Sequence, residues 1–470
     1  MPGMAASLFE APGPRPATSR LPDLVIRVSY SKSPALDGAG EECVSESQGF
    51  DVADYIQRFR VHAPEFAAHH NEIIAHIPVK CPVFHAHMEA FSPAPIDIAV
   101  IGGYDAIMAT GRFADVMSSL PEPGQVEAAK ARIAPMNLPT FADPPLAFEY
   151  RRVVEGFVSP KAANELEPRV RALVSKLVDR FIETGSADIV RDLAQPLTAM
   201  LTMWVSGLPE EKWRRYSDCI HRLLWRDGDM ATLSREIAEV QAELRADISR
   251  LRADPDTQGV IGASREAKIE GRPIEEWEVE GMLWLLLLGG VDTTQALTGS
   301  AIVFLSRNPG HRQQILDDPA IIPDAIEEFL RFNAPVLATP RTVAQDIEVE
   351  GVQLKKGERA LLCWAAANRD PKVFERPNEV IFDRPENRHL TFSVGPHRCL
   401  GSHTARMEIR VMLQEIFRRL PDFRIVEDKL VFAPDVAVIY GYKTVPVTFT
   451  PGRRELPPDP GLEALLAQGR

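Results

Sequence analysis

Apolar residues recur at helical spacing through most of the middle of the chain. In SPKAANELEPRVRALVSKLVDRFIETG (Ser159 to Gly185), Leu173, Leu177 and Phe181 share one face, a Ser-Pro pair opens the segment and Gly185 closes it. That combination predicts a capped helix, since Ser serves an orphan N–H and Gly accepts the left-handed turn at the end. SREIAEVQAELRADISRLRADP predicts another, ended by Pro255. EEWEVEGMLWLLLLGGVDTTQALTGSAIVFLSRNPG predicts one very long helix from Glu275 to about Arg307, stopped by Asn308-Pro309-Gly310. Period-two alternation is confined to a few places: IDIAVIGG near residue 100, IEVEGVQLKKGERALLCW (Ile347 to Trp364), and TVPVTFTP near the C-terminal end. The second of these predicts a hairpin turning at Lys355-Lys356-Gly357. The fold class is therefore α+β, predominantly α-helical, with small strand pairs at the edge.

The first 45 residues are rich in Pro, Ser and Gly without periodicity, and predict a flexible leader. No low-complexity break interrupts residues 46–452, which predict a single domain, followed by a tail over 453–470. The strongest apolar run, MLWLLLLGGV (Met282 to Val291), is bounded by Glu280 and Asp292. A bilayer needs about 20 apolar residues, so this run predicts a buried helix segment and no membrane span. No signal peptide is visible, because the N-terminal stretch lacks an apolar core and carries helix-breaking prolines. A net charge of −13 argues against a nucleic-acid partner. Five cysteines without paired spacing suit a reducing, cytoplasmic compartment rather than a disulfide framework.

Three constellations interrupt the structural pattern. FSVGPHRCLG (Phe392 to Gly401) sets Cys399 in a polar turn at the mouth of a helix. A helix N-terminus favours a thiolate there, as nucleophile or metal ligand. Zinc would draw on His389, His397 and His403, but paired cysteines are absent, and a buried structural cysteine stays open. LLGGVDTT places Gly289 and Gly290 in mid-helix, each costing about 1 kcal/mol relative to Ala, beside Asp292, Thr293 and Thr294. A carboxylate beside a hydroxyl can relay protons; the same residues can also form a packing notch with a back-bonded Thr. DAIEEFLRFNAPV carries Glu328 and Arg331 at i,i+3, which means little on a surface and much if buried.

In combination and order, Gly290-Val291-Asp292-Thr293-Thr294, Glu328-x-x-Arg331 and Phe392-x-x-Gly395-x-His397-x-Cys399-x-Gly401 resemble the cytochrome P450 superfamily. The resemblance runs from about residue 50 to 450. ANRDPKVFERPNEVIFDR looks like the segment leading to the haem loop, GSHTARMEI like the helix behind the haem, and GYKTVPVTF like the closing strands. GVQLKKGE and the lack of an anchor resemble the soluble bacterial type, near the camphor-hydroxylase branch.

The resemblance implies haem b with Cys399 as the axial thiolate. Phe392, Gly395, His397 and Gly401 complete the haem loop, and Gly289 and Gly290 lie where the long helix passes over the iron. Asp292 and Thr293 match the proton-delivering pair, and Glu328 and Arg331 a structural pair. His397, Arg341 and Arg151 match propionate partners. Family members usually carry a propionate-binding His in D-P-P-E-H-x-x-Y-R-R, whereas here Ala147 stands at that place. Leu285, Leu288, Val336, Leu337, Ala338 and Ile439, with Val438, Thr339 and Tyr440 beside them, would line a pocket for a hydrophobic substrate: terpenoid, steroid-like, fatty or aromatic. No flavin, nicotinamide or iron–sulfur fingerprint is present, so electrons would come from a 2Fe–2S ferredoxin with its reductase. It would dock on a basic patch of Arg151, Arg152, Arg398, Arg406 and Arg410. Two activities fit: a dioxygen-using monooxygenase, or a haem-thiolate peroxide-driven oxidase or isomerase.

Overall fold

The computed structural model describes residues 51–58, 64–88, 96–120, 124–131, 135–225, 228–432 and 439–467. The expected leader over 1–45 and the pocket candidate Val438 lie outside the described residues. The helices that position the site are, in chain order, α1 (Pro64–Lys80), α2 (Leu146–Val158), α3 (Pro160–Asp179), α4 (Gln195–Ser206), α5 (Trp213–Leu224), α6 (Met230–Ala253), α7 (Glu276–Gly290), α8 (Asp292–Arg307), α9 (Ile322–Asn333), α10 (Ser402–Arg419) and α11 (Pro460–Ala467). Ser159 caps α3 through its side chain, accepting from Ala162 N–H, and Gly185 beyond the helix has φ 73°. Asp229 caps α6 in the same way, accepting from Thr232 N–H.

The long helix is two helices. Helix α7 begins with a reciprocal capping box between Glu275 and Glu278 and ends at Gly290; Val291 interrupts, and α8 resumes at Asp292. Thr293 Oγ1 donates to Gly289 O at 2.8 Å. A Thr hydroxyl that takes the carbonyl one turn back bends a helix, and Gly289-Gly290 offers no β-carbon to resist. Helix α7 packs on α4, α5 and α6, and α8 on α4, α9 and α10.

The sheet that backs the site has the strand order 83–88, 96–101, 359–362, 339–343, 117–118. Strands 96–101 and 359–362 run parallel and the other pairs antiparallel. The hairpin expected over Ile347 to Trp364 divides. Ile347–Val349 pairs with Val352–Leu354 across Glu350 (φ 51°) and Gly351 (φ 79°), the left-handed pair a two-residue turn needs. Lys355-Lys356-Gly357 is a second turn, which sends Arg359–Leu362 into the large sheet beside Thr339–Val343. Alternation continues through all three strands, so the pattern alone gave the wrong turn.

Most helices share one core, in which Leu177, Leu197, Leu283, Ala301, Phe329 and Leu413 are buried. Residues beyond 452 pack on it. Leu462 and Leu466 of α11 enter that core, Trp213 Nε1 donates to Leu465 O at 3.1 Å, and buried Asp179 accepts from the backbone of Glu455 and Leu456.

Candidate active site

The Cys399 loop is held by its own backbone. Cys399 N–H donates to Phe392 O at 2.8 Å and Arg398 N–H to Gly395 O at 3.1 Å. Gly395 has φ 65°, and a β-carbon there would sit 2.8 Å from Arg112 Cα, so only glycine fits. Ser393, with φ 61°, takes the same strained region without glycine's freedom, and its hydroxyl is buried and unpartnered. Helix α10 starts at Ser402, which puts its N-terminus behind the sulfur. Cys399 is accessible, yet enough protein surrounds it that burial pushes the thiol up; the Gly401 N–H and then Arg151, Arg406 and Arg398 oppose that rise. Phe392 lies under the Arg406 guanidinium, 4.5 Å from its ring centroid.

Three nitrogen-bearing side chains gather beside the loop, none of them in an ion pair among the described residues. His397 Nε2 is buried and unpartnered, and burial, then Arg341 and Arg151, drive its pKa down to about 3. Arg341 is buried and forms no ion pair among the described residues; one of its amino groups donates to Pro340 O. Burial lowers it to about 10, with Asp143 acting the other way. That carboxylate is already taken by Ser118 Oγ at 2.6 Å and Ser119 N–H at 2.8 Å. Arg151 is half-buried, with Cys399 and then Glu155 acting on it and His397 feeling it in turn. An uncompensated buried guanidinium and an orphaned ring nitrogen are costly unless an anion meets them. Haem propionates, beside an iron on Cys399, fit this donor set. Ala147 is fully buried in the core, so the helix that carries Arg151 offers only that arginine.

The α7–α8 junction separates the two glycines. A β-carbon on Gly289 would meet nothing within 4 Å, whereas one on Gly290 would lie 2.7 Å from Thr202 Oγ1. Gly289 therefore faces open space and Gly290 is a packing notch. Leu285, Leu288 and also Leu286 are half-buried on this part of α7, while Met282, Leu283 and Leu287 are buried. Thr293 remains partly accessible, but Asp292 is fully buried and turned toward α5. Its carboxylate accepts from Trp225 Nε1 at 2.8 Å and Gln295 Nε2 at 2.5 Å, with His221 Nδ1 at 3.4 Å. Thr294 Oγ1 reaches Glu408 Oε2 at 3.5 Å, and burial pushes the Glu408 carboxyl up to about 8. His221, Trp225, Gln295 and Glu408 were not singled out from the sequence. A polar residue on an apolar helix face was the available signal for Glu408 and Gln295.

Glu328 and Arg331 are both fully buried, at 2.7 Å, which excludes the surface reading. Arg331 spends its other donors on the carbonyls of Asn368, Pro377 and Glu379. Glu328 also accepts from Arg384, Asn387 and Ile381 N–H. The pair thus ties α9 to the chain that leads to the Cys399 loop.

The pocket candidates divide. Val336 and Ala338 are half-buried, and Val336 forms a bridge with Ile439. Leu337 and Ile439 are instead buried, Leu337 against Phe66, Ile98 and Ala365, because the strand-like turn after α9 sends alternate side chains into the sheet-side core. The expected basic patch also shrinks. Arg406 is clamped on Glu327 and Arg410 on Glu167, and Arg151 is half-buried, which leaves Arg152 and Arg398 exposed. No helix among the described residues is long and apolar enough to cross a membrane.

The cytochrome P450 family profile matches residues 230–426. Steroid C26-monooxygenase of Mycobacterium tuberculosis is 32% identical over 322 residues, covering 66% of this chain and 85% of that protein. Cytochrome P450 130 of the same species is 31% identical over 299 residues, covering 62% and 73%. Among solved structures, a myxobacterial cytochrome P450 in complex with myristic acid is similar with a TM-score of 0.74 and 26% identity, over 83% of this chain and 98% of that one. A Bacillus megaterium relative in complex with testosterone gives 0.72 and 26%, over 84% and 100%.

Proposed function

The chain belongs to the cytochrome P450 family of haem-thiolate monooxygenases, and from that premise we propose that it hydroxylates a hydrophobic small molecule with dioxygen and electrons from a 2Fe–2S ferredoxin and its reductase. The observation that carries the reading is the meeting of the Cys399 sulfur with the Arg341 and Arg151 guanidiniums and the orphaned ring nitrogen of His397. Haem b, when bound, supplies the dioxygen-activating chemistry. Cys399 holds it as a thiolate, and the Gly401 N–H and the α10 N-terminus stabilise the negative sulfur. Arg341, His397 and Arg151 would hold the propionates. Open space beside Gly289 leaves room over the ring, and Leu285, Leu288, Val336 and Ala338 exclude water from the substrate. The Thr293 hydroxyl, whose own proton goes to Gly289 O, would accept from a water and hold it beside that open space, and Asp292 would supply protons toward it. Steroid-like and fatty molecules come ahead of terpenoids and aromatics, because the relatives include a steroid monooxygenase and complexes with testosterone and myristic acid. Arg152 and Arg398 are the exposed cations of the face on which an acidic ferredoxin would dock. The scarcity of cysteine supports a cytoplasmic setting.

Thr293→Ala tests the proton role and separates dioxygen users from peroxide-driven enzymes and isomerases. The variant is expected to bind substrate and consume reduced nicotinamide through its partners, with less hydroxylated product and more hydrogen peroxide per reducing equivalent. An unchanged ratio, with peroxide assayed in parallel, removes Thr293 from the mechanism and favours the second class. Spin-state shifts on titration with steroids and fatty acids identify the substrate class.

A further inference from the structure

Asp292 has no opening of its own to solvent: its side chain is 0% exposed. Any proton it delivers must first cross one of the groups that enclose it. The Trp225 indole N–H and the Gln295 amide do not exchange protons as acids at neutral pH, whereas an imidazole does. His221 lies on α5 with its ring 19% exposed and its Nδ1 3.4 Å from Asp292 Oδ1. Trp225 holds Oδ2 from the other side, which leaves Oδ1 as the oxygen that can gain a proton.

We propose that His221 is the proton relay between solvent and Asp292, resting on the reading that Asp292 and Thr293 supply protons at the active site. A hydronium ion gives one proton to Nε2 and leaves as water; the Nδ1 proton passes to Asp292 Oδ1; the ring ends neutral with its proton on Nε2. The number of protons is conserved and no other reactant is needed. Gln295 can serve either state of the ring. Its Nε2 lies 2.5 Å from Asp292 Oδ1 and 3.3 Å from His221 Nδ1, while its Oε1 is buried without a partner. With Nδ1 bare, the amide N–H can donate to it across that distance. With Nδ1 protonated, two donors face each other at 3.3 Å, and turning the amide would present the idle Oε1 to the ring. The clamp therefore has two self-consistent hydrogen-bond patterns that differ by the proton on His221.

Other charges around the ring do not replace it. Asp218 lies on α5 itself, where Gln195 donates to it, and burial raises its pKa, with Arg214 and then His221 lowering it. Arg222 is paired with Glu236 of α6. Lys443 stands 6.0 Å from the Trp225 ring. None of these is bonded to Asp292. His221 is thus a positioning and relay residue that acts through Asp292.

Two measurements test this. In the resting protein, the His221 and Trp225 ring centroids are 5.5 Å apart, so protonation of His221 should quench Trp225 emission. A pH-dependent emission step assigned by its loss in Trp225→Phe should also be lost in His221→Phe. In haem-loaded protein reduced by a surrogate 2Fe–2S ferredoxin and reductase, peroxide release in air without substrate consumes two protons per dioxygen. In His221→Phe and His221→Gln its rate should fall about tenfold toward alkaline pH, with a larger solvent isotope effect; loss of a directly acting acid or base would bring ~10²-fold or more. Adding either change to Asp292→Asn should have no further effect. If Asp292→Asn slows release while both His221 variants keep the wild-type pH profile, the relay is overturned and the Asp292–Thr293 reading stands. If Asp292→Asn also matches wild type, both fall.

Discussion

Glu328→Gln keeps the shape of the side chain and removes one charge from a fully buried cluster. In the wild type the carboxylate accepts from Arg331 at 2.7 and 2.8 Å, Ile381 N–H at 2.8 Å, and Arg384 and Asn387 at 3.1 Å. Burial works to raise its pKa, but the bonds from Arg331 and Arg384 outweigh that and hold it below the usual carboxylate range. In the variant one acceptor becomes an NH₂ that faces donors, and the buried guanidiniums lose their counter-charge. Breaking a buried pair from one side costs about 3–5 kcal/mol. With an unfolding entropy of about 2.1 cal/mol/K per residue over 470 residues, Tm should fall roughly 1 °C per kcal/mol, so about 3–5 °C. The exposed Arg376–Glu379 pair is the control, and Glu379→Gln should change stability by less than about 1 kcal/mol. The assays are urea unfolding midpoints and calorimetry, with haem content measured alongside. The sign with pH follows from the depressed folded-state value: the stabilisation is complete above the unfolded carboxyl value of about 4.3 and is lost as pH falls through the folded one. The wild-type and variant curves should therefore converge in acid. Equal midpoints at neutral pH would refute the reasoning.

Cys399→Ser should leave a folded chain without the red-shifted carbon-monoxide band of a thiolate-ligated haem, since an alcohol is a poor iron ligand at neutral pH; retention of that band would remove Cys399 as the ligand. Ser393→Gly should stabilise the protein by about 1 kcal/mol. It relieves a left-handed residue worth about 1–2 kcal/mol and removes an unpartnered hydroxyl, against about 0.5–1 kcal/mol of added chain freedom. A lower urea midpoint would show that the strain is compensated within the loop.

Helical periodicity was enough to place α3 and α6, whose caps and apolar faces are local features. The Cys399 loop was legible because its residues are contiguous and their chemistry is unusual for a turn. What the pattern missed depends on contacts remote in sequence. Alternation could not choose between the turns at Glu350-Gly351 and Lys355-Lys356-Gly357, because the partner strand Thr339–Val343 decides the matter. Leu337 and Ile439 read as pocket residues by apolar character alone, and their burial in two different cores, Leu337 with Phe66 and Ile98 and Ile439 with the main helical core, was invisible there. The Asp292 clamp needs His221 and Trp225, roughly 70 residues away. The arginines looked like a patch until Glu327 and Glu167 were found across from two of them.

The interruption at Val291 also bears on how the molecule breathes. Helix α7 packs with α5 and α6 and α8 with α9 and α10, while α4 touches both and α5 also reaches α8. An unbroken helix of that length would bind both parts into one cooperative unit, so that loosening either would strain the other. With the chain bent where a threonine hydroxyl serves the Gly289 carbonyl, the two sides stay joined through α4 and through the Asp292 clamp on α5, and once that clamp breaks the α5–α6–α7 side can open while α8–α9–α10 stays closed. Amide exchange would then divide at Val291: faster, partial openings on the α5–α6–α7 side, and slow exchange limited by global unfolding on the side that holds the sulfur.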